Sequence, residues 1–257
     1  MASQPVCPKC SGAGWVVVER EEVSGAQRCD CMNETRARRI EERAQIPPLY
    51  QNAGLDNFVL PKENPMGHRD LAQVLLTVKA FVREFPSEKR PGLLLVGEPG
   101  TGKTHLAVAA LRGLIERGFE GLFFDYLNLL DRIRSGYDAS SNSADKEAYR
   151  FALDTEVLLL DDIGAHRVTD WVEDTVTSIV TYRCNHRKPL IATTNLADPD
   201  AGGAFMERSS VLPGKMEYRT TLAERIGARA RSRLFEMCKV VRMPLVEDYR
   251  LRRVSPF

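Results

Sequence analysis

The sequence lacks the features that mark a membrane protein or a secreted protein, and it lacks a strongly basic net charge. No apolar run approaches the roughly 20 residues that a transmembrane helix needs. The first residues have neither the basic start nor the apolar core of a signal peptide. The net charge is only +1 at pH 7, so overall charge gives no case for nucleic acid or a membrane surface. We therefore expect a cytoplasmic protein without a membrane partner, in a compartment where thiols stay reduced.

Cysteine is scarce, and its placement is uneven. Four of the six cysteines fall within residues 7–31, as the pairs C-P-K-C and C-D-C. A reducing compartment disfavours a disulfide framework, and a redox C-x-x-C would follow a strand, which the sequence does not show before the first pair. Two thiolate pairs suit tetrahedral zinc instead. We predict a structural Zn²⁺ site whose ligands are Cys7, Cys10, Cys29 and Cys31.

A β-hairpin is predicted between the two cysteine pairs. Residues 15–18, WVVV, form a short apolar run typical of a strand, and Ser24-Gly25 is the predicted turn. A helix rich in arginine is expected to follow, over residues 33–43. A segment of this size has too little core to fold alone, so metal binding would supply its folding free energy.

The stretch PGLLLVGEPGTGKTHLAVAALRG carries the clearest chemistry. An apolar run of strand length precedes G-x-x-x-x-G-K-[ST], and apolar residues at helical spacing follow it, which is the context that a phosphate-binding loop requires. Glycines let backbone N–H groups converge on phosphate oxygens, and the helix N-terminus adds its positive dipole. Lys103 would reach the β- and γ-phosphates and Thr104 would bind Mg²⁺. His105 lies inside the motif, but a position on the helix surface is the favoured interpretation of this residue. The predicted nucleotide-binding residues are Gly97, Glu98, Pro99, Gly100, Thr101, Gly102, Lys103, Thr104 and His105.

A second apolar run, residues 157–160, ends in two adjacent aspartates. Such a pair at the end of a buried strand is costly unless a cation is present. Asp161 is predicted to hold Mg²⁺ and Asp162 to polarise the water that attacks the γ-phosphate. The alternative, a helix cap after a core strand, explains one aspartate but not both.

A third run, residues 190–194, ends at Asn195 and would place an amide beside the γ-phosphate. Together the runs predict an α/β fold with a parallel sheet and helices in three layers. The predicted strands lie near 93–96, 121–125, 157–161, 190–194 and 240–243. The predicted helices are 103–117, 126–135, 146–153, 169–186 and 219–237.

The order GEPGTGKT, LLLDDIG, ATTNL resembles the Walker A, Walker B and sensor 1 segments of AAA+ ATPases. More narrowly, IPPLY at 46–50, LDNF at 55–58, IGARARSRL at 226–234 and VEDYR at 246–250 resemble segments of DnaC/DnaI-type helicase loaders and the related IstB transposition ATPases. The resemblance covers roughly residues 46–250. It implies an AAA+ domain at 46–257 without the usual helical lid, preceded by a zinc-binding module and basic helix at 1–45.

The resemblance also implies roles for single residues. Asn195 would be the sensor 1 residue, Arg233 the arginine finger and Arg229 its companion one helical turn earlier. With Arg225, these arginines would share one helix face, for which a solvated basic face or a nucleic-acid contact is the alternative.

Two departures from the family pattern concern catalysis. Ala228 stands where the family has an acid, and Asp162 stands where AAA+ proteins have glutamate. A carboxylate that is one methylene shorter would position water less well, so we expect slow hydrolysis.

The function that the resemblance implies is loading of the replicative DNA helicase, with ATP, Mg²⁺ and Zn²⁺ as cofactors. The expected partners are the hexameric helicase, single-stranded DNA and further copies of this chain, which would associate when ATP binds. The zinc module would dock on the helicase, and residues 126–137 and the helix near Arg231 would contact DNA. An ATPase that regulates transposition and a zinc-dependent ATP-binding adaptor without turnover are the two alternatives.

Overall fold

The computed structural model of the chain describes residues 7–11, 13–20, 23–136, 143–201, 206–208, 216–218 and 220–250. Its strands are β1 Trp15–Arg20, β2 Val23–Arg28, β3 Gly92–Val96, β4 Gly121–Asp125, β5 Val157–Asp161, β6 Leu190–Thr194, β7 Met206–Arg208, β8 Met216–Tyr218 and β9 Cys238–Arg242. Its α-helices are α1 Asp30–Arg43, α2 Pro65–Glu84, α3 Lys103–Glu116, α4 Tyr126–Ser135, α5 Ser143–Asp154, α6 Asp170–Asn185, α7 Leu222–Ile226 and α8 Ala228–Met237.

The centre of the fold is a five-stranded parallel sheet in the order β4-β5-β6-β3-β9. Its inner strands β5, β6 and β3 are buried along nearly their whole length because helices cover both faces. Leu93 and Leu95 of β3 belong to the core that α2 and α3 cover, whereas Leu94 and Val96 belong to the core under α4 to α8. This arrangement confirms the predicted three-layer α/β fold.

The predicted helix over 219–237 is wrong, because Gly227 divides it into α7 and α8. Gly227 has φ +83°, and a Cβ there would lie 2.5 Å from Oε1 of Glu173. Only glycine fits such a backbone at this distance from a neighbouring side chain. Arg225 therefore lies on a different helix from Arg229 and Arg233, and the predicted common face for the three arginines is also wrong.

Helix α2 was not predicted from the sequence. Asn64 begins it, since its Oδ1 accepts a hydrogen bond from the N–H of Gly67 at 2.8 Å. Leu71, Val74 and Val78 then follow at helical spacing and are buried against the sheet. None of the described helices combines the length and apolar character that a bilayer span requires.

The N-terminal segment forms an antiparallel hairpin that leads into α1. The hairpin is as predicted, but the turn is not, because Ser24 and Gly25 lie inside β2 opposite β1. The residues between the strands, 21–22, lie outside the described part of the chain. At its other end α1 meets the edge of the sheet, where the carbonyl of Ala44 accepts a hydrogen bond from the N–H of Phe123 at 2.8 Å. Helix α1 thus spans the predicted boundary between 1–45 and 46–257, and that division stays a prediction.

Candidate nucleotide-binding site and cysteine cluster

A cavity of about 680 Å³ opens at the carboxyl ends of the central strands. Parallel α/β sheets bind ligands at this end, where loops and helix N-termini converge. The predicted site residues that line it come from three strand ends and include Lys103, Thr104, Asp161, Asp162 and Asn195. The fold therefore brings together residues that are up to 92 positions apart in the chain (195 minus 103).

The phosphate-binding loop wraps around the amine of Lys103. Gly100 and Gly102 have φ values of +78° and +95°, so the loop uses a backbone that glycine adopts without strain. The Nζ of Lys103 donates hydrogen bonds to the carbonyls of Gly97 and Glu98, both at 2.8 Å. Burial lowers the pKa of this amine. The loop carbonyls thus hold the ammonium group of Lys103 at the N-terminus of α3, where a bound phosphate would compete with them for this cation.

Hydroxyl groups surround the first aspartate of the site. The Oγ1 of Thr104 donates to Oδ1 of Asp161 at 3.0 Å, and the Oγ1 of Thr193 donates to the same oxygen at 2.7 Å. The N–H of Asp162 donates to Oγ1 of Thr193 at 2.8 Å. One threonine therefore holds both aspartates in place.

Burial raises the pKa of Asp161 and also that of Asp162. Carboxylates whose charge is disfavoured in this way are stabilised by a cation. The hydroxyl of Thr104 and the carboxylate of Asp161 are the hard oxygen donors that Mg²⁺ prefers. The donor set thus fits the predicted magnesium site.

Several residues that line the cavity had no predicted role, among them Thr193, Tyr249 and Arg250. Thr193 lay in a predicted strand, and no signal within the strand distinguishes it from its neighbours. Tyr249 and Arg250 line the cavity from the far end of the chain. The N–H of Tyr249 donates to the carbonyl of Gly100 at 2.6 Å, which fixes the terminal segment across the phosphate-binding loop. The V-E-D-Y-R stretch was the only sequence signal for it.

His105 is buried beneath the phosphate-binding loop, between Gly54 and Tyr249. Its side chain is buried, its Nε2 lies 3.1 Å from the carbonyl of Gly54, and its Nδ1 lies 3.3 Å from the Oη of Tyr249. The ring of Tyr249 stacks on Phe58 at 4.8 Å. A helix-surface position for His105 is therefore wrong, and packing under the loop explains the residue.

The two predicted finger arginines lie outside the cavity of their own chain. Arg229 and Arg233 are exposed on α8, and Nη1 of Arg233 donates to Oε2 of Glu236 at 2.6 Å. Arg231 differs, because its guanidinium pairs with Asp198 and Asp200. The ion pairs engage Arg231, which leaves it less available as the DNA contact that the sequence suggested.

The four N-terminal cysteines converge on one point. Their sulfur atoms all lie within 4.8 Å of one another, with Cys7 to Cys29 at 3.8 Å and Cys10 to Cys31 at 3.4 Å. Disulfide sulfurs lie about 2.05 Å apart, so these are free thiols. A tetrahedral ion with Zn–S bonds of about 2.3 Å requires sulfurs about 3.8 Å apart. The hydrogen bond between the Cys10 and Cys31 thiols raises the pKa of Cys31, so a cation is what would stabilise the thiolates. The cluster fits the predicted Zn²⁺ site.

The chain is similar to known proteins in sequence and in fold. The family described as "IstB-like ATP binding protein" matches residues 33–251. The replicative helicase loader DnaC of Escherichia coli (strain K12) is 25% identical over 165 residues, 63% of this chain and 64% of that protein. The uncharacterized protein YqaM of Bacillus subtilis (strain 168) is 25% identical over 177 residues, 66% of this chain and 55% of that protein. The alignments thus span less than two thirds of both relatives.

Among solved structures, a crystal structure of the DnaC helicase loader is 33% identical with a TM-score of 0.59. The match covers 77% of this chain and all of that one.

Proposed function

The chain belongs to the IstB-like ATP-binding proteins within the AAA+ ATPases, and we propose that it is an ATP-switched loader of a replicative DNA helicase. The observation that carries the ATPase part is the contact of Thr104 and Thr193 with Asp161, because it joins three strand ends into one site. The similarity to DnaC supports the loading role.

Each residue of the cavity has a part in binding or hydrolysing ATP. Lys103 exchanges its two loop carbonyls for the β- and γ-phosphates, while Thr104 and Asp161 hold the metal. A bound Mg²⁺ supplies positive charge that stabilises the transferred phosphoryl group. Asp162 and Asn195 position the attacking water. The side chain of Asp162 is one methylene shorter than the glutamate of other AAA+ proteins, which makes hydrolysis slow. Slow hydrolysis suits a switch rather than a motor.

The finger arginines require a second copy of the chain. Since Arg229 and Arg233 do not line their own cavity, they act on the γ-phosphate of a neighbouring subunit, where a guanidinium neutralises transition-state charge. ATP binding at such interfaces would assemble the subunits. We propose that the assembled subunits bind single-stranded DNA beside a hexameric helicase and load the helicase onto it in the cytoplasm.

We propose that the zinc module is the part of the chain that binds the helicase. Zn²⁺ bound by Cys7, Cys10, Cys29 and Cys31 would fold it, and α1 would carry it on the edge of the sheet. Arg112 supports this attachment, because its Nε donates to Oε1 of Glu41 at 2.6 Å.

Regulation of DNA transposition is the second candidate, and the match to the IstB-like family supports it because the sequence also resembles the IstB transposition ATPases. That function predicts binding and bending of duplex DNA and capture of a transposase. The adaptor without turnover remains a third possibility, and a complete lack of ATP hydrolysis with every partner would support it.

The test is capture of the hexameric helicase by the full-length chain, with and without the double substitution Cys7→Ser and Cys10→Ser. Truncation at residue 45 is a poor test, since Ala44 is buried in the core. We expect the double variant to lose zinc and helicase capture but to keep ATP binding. Undiminished capture by a zinc-free variant would contradict the proposed role of the module, and capture of a transposase alone would favour the second candidate.

A further inference from the structure

A second groove lies at the opposite end of the sheet from the ATP site. It has a volume of about 620 Å³ and runs between α1 and the amino ends of β4 and β5, where Gly121 and Thr155 line it. The ATP cavity contacts the other ends of the same strands, at Asp125 and Asp161. At about 3.3 Å per residue, five-residue strands separate the two sites by roughly 13 Å or more.

Three arginines of α1 line this groove: Arg36, Arg39 and Arg43. At 100° per residue they lie within about 60° of one another around the helix, and they rise by about 4.5 and 6 Å along it. All three are exposed, and within the described part of the chain none forms a hydrogen bond or an ion pair. Their charges are therefore available to a ligand.

The other charged face of α1 is occupied by its own ion pairs. Arg38 lies on that face and donates to Oε1 of Glu42 at 3.3 Å, and Glu41 binds Arg112. Among the described residues that line the groove, Glu120 is the single acid. The helix thus separates its unpaired cations from its paired ones and directs the unpaired set into the cavity.

The walls of the groove are apolar and aromatic. Ile40 and Leu122 contribute aliphatic surface, and the ring of Phe151 is 38% exposed although it belongs to a helix that packs on the core. An exposed phenyl ring beside guanidinium groups is a stacking surface for nucleic-acid bases. An acidic peptide would use the arginines but would have no specific need for the ring.

The basic surface continues from the groove onto α4. Gln45 lines the groove, and its Oε1 accepts a hydrogen bond from Nη1 of Arg132 at 3.2 Å. Helix α4 begins at the carboxyl end of β4, beside the ATP cavity. Helix α4 therefore begins beside the ATP cavity and contacts a residue that lines the groove.

We propose that this groove binds a segment of single-stranded nucleic acid, with Arg36, Arg39 and Arg43 on successive phosphates and Phe151 against a base. The proposal rests on the proposed function, since it places the single-stranded DNA of a loader at a site other than the predicted 126–137 segment. Three unpaired guanidinium groups on helix positions that rise by about 4.5 and 6 Å suit a ligand with several phosphates in a row, which an isolated phosphate is not.

The test is fluorescence anisotropy of a labelled oligothymidylate of about 20 nucleotides, titrated with the full-length chain in ATP at several salt concentrations. The triple variant Arg36→Ala, Arg39→Ala, Arg43→Ala should bind at least about tenfold more weakly. Its log–log salt slope should be shallower by about 2, because three contacts each contribute about 0.7. Phe151→Ala should weaken binding about fivefold or more without changing the slope.

Arg38→Ala is the matched control, since it removes one arginine from the paired face of the same helix. It should change affinity less than about twofold. A triple variant that retains both ATP binding and full oligonucleotide affinity would overturn the proposal. So would arginine-dependent binding of polyglutamate or of duplex DNA in place of the single strand. Helicase capture by the triple variant is measured alongside. If zinc-dependent capture persists while oligonucleotide affinity is unchanged, the groove proposal fails and the proposed function stands. Loss of zinc-dependent capture in the wild-type chain as well would count against the proposed function.

Discussion

Thr193 donates a hydrogen bond to Asp161 across two neighbouring parallel strands, with 2.7 Å between Oγ1 and Oδ1. The same hydroxyl oxygen accepts the N–H of Asp162 at 2.8 Å. Its two bonds set the orientation of one carboxylate and the backbone of the next. Thr193 is thus a positioning residue for the acids on which the ATPase site depends.

Replacing Thr193 should therefore impair turnover more than binding. Thr193→Val keeps the shape but removes both hydrogen bonds, and a lost bond to a charged group is worth about 1.5–3 kcal/mol. We expect kcat to fall by about tenfold to a hundredfold, with the Kd for ATP changing less than about threefold. Thr193→Ser, which keeps the hydroxyl, should retain most of kcat. Equal losses in the two variants would point to packing instead.

Asp161→Asn should abolish hydrolysis and yet stabilise the nucleotide-free protein. Burial raises the pKa of Asp161, so its ionised form is costlier in the folded chain than in the unfolded chain. Native stability therefore falls as pH rises from the ordinary value of about 3.8 through the raised value, and the cost stays constant above it.

Thermal unfolding measured from pH 4 to pH 8 checks this sign. The Tm advantage of Asp161→Asn should be small at pH 4 and should grow to about 2–4 °C near pH 7, for a gain of about 1 kcal/mol. A Tm advantage that is largest at pH 4 would contradict the assignment. Added Mg²⁺ and ATP should stabilise only the wild-type chain.

Arg233 should act in a neighbouring subunit. Arg233→Ala is expected to bind ATP normally and to lose most hydrolysis, because the residue does not line its own cavity. Lys103→Ala should be inactive for the opposite reason, since it loses the phosphate contact. Mixing the two inactive proteins should restore part of the activity at interfaces that combine an intact cavity with an intact arginine. No recovery of hydrolysis at any mixing ratio would count against action between subunits. The same mixing experiment with Arg229→Ala measures the contribution of Arg229 to hydrolysis.

Arg231 should matter for stability rather than for the finger chemistry. Its Nη2 lies 2.5 Å from Oδ1 of Asp198, whose side chain is fully buried. Removing Arg231 leaves that carboxylate without its cation, so Arg231→Ala should cost about 2–4 kcal/mol, less than a fully buried pair because the arginine is partly exposed. Denaturant unfolding measures this cost. Arg233→Ala on the same helix, with an exposed pair to Glu236, is the matched control and should leave the denaturant midpoint nearly unchanged.

Strong local signals predicted the sheet and most of the cavity. Apolar runs ending in polar residues located the inner strands, and the phosphate-loop glycines located α3, because in both cases the physics is local to one segment. The cysteine spacing likewise predicted a cluster whose sulfurs do meet.

Features that depend on tertiary contacts could not be predicted in this way. The break at Gly227 follows from the approach of Glu173, which is distant in sequence. His105 is buried because Tyr249 and Gly54 meet it from opposite ends of the chain. Thr193 acquires its role only when β5 and β6 pair. The hairpin turn was misplaced because Ser24-Gly25 has turn composition but falls inside β2.

The most direct test of the central claim is loading of the replicative helicase from the same genome onto circular single-stranded DNA. Unwinding of an annealed oligonucleotide reports loading. We expect the chain with ATP to stimulate unwinding, whereas Lys103→Ala, which loses its contact with the phosphates, should not. Stimulation by Lys103→Ala equal to that of the wild type, or no stimulation by either protein, would contradict an ATP-switched helicase loader.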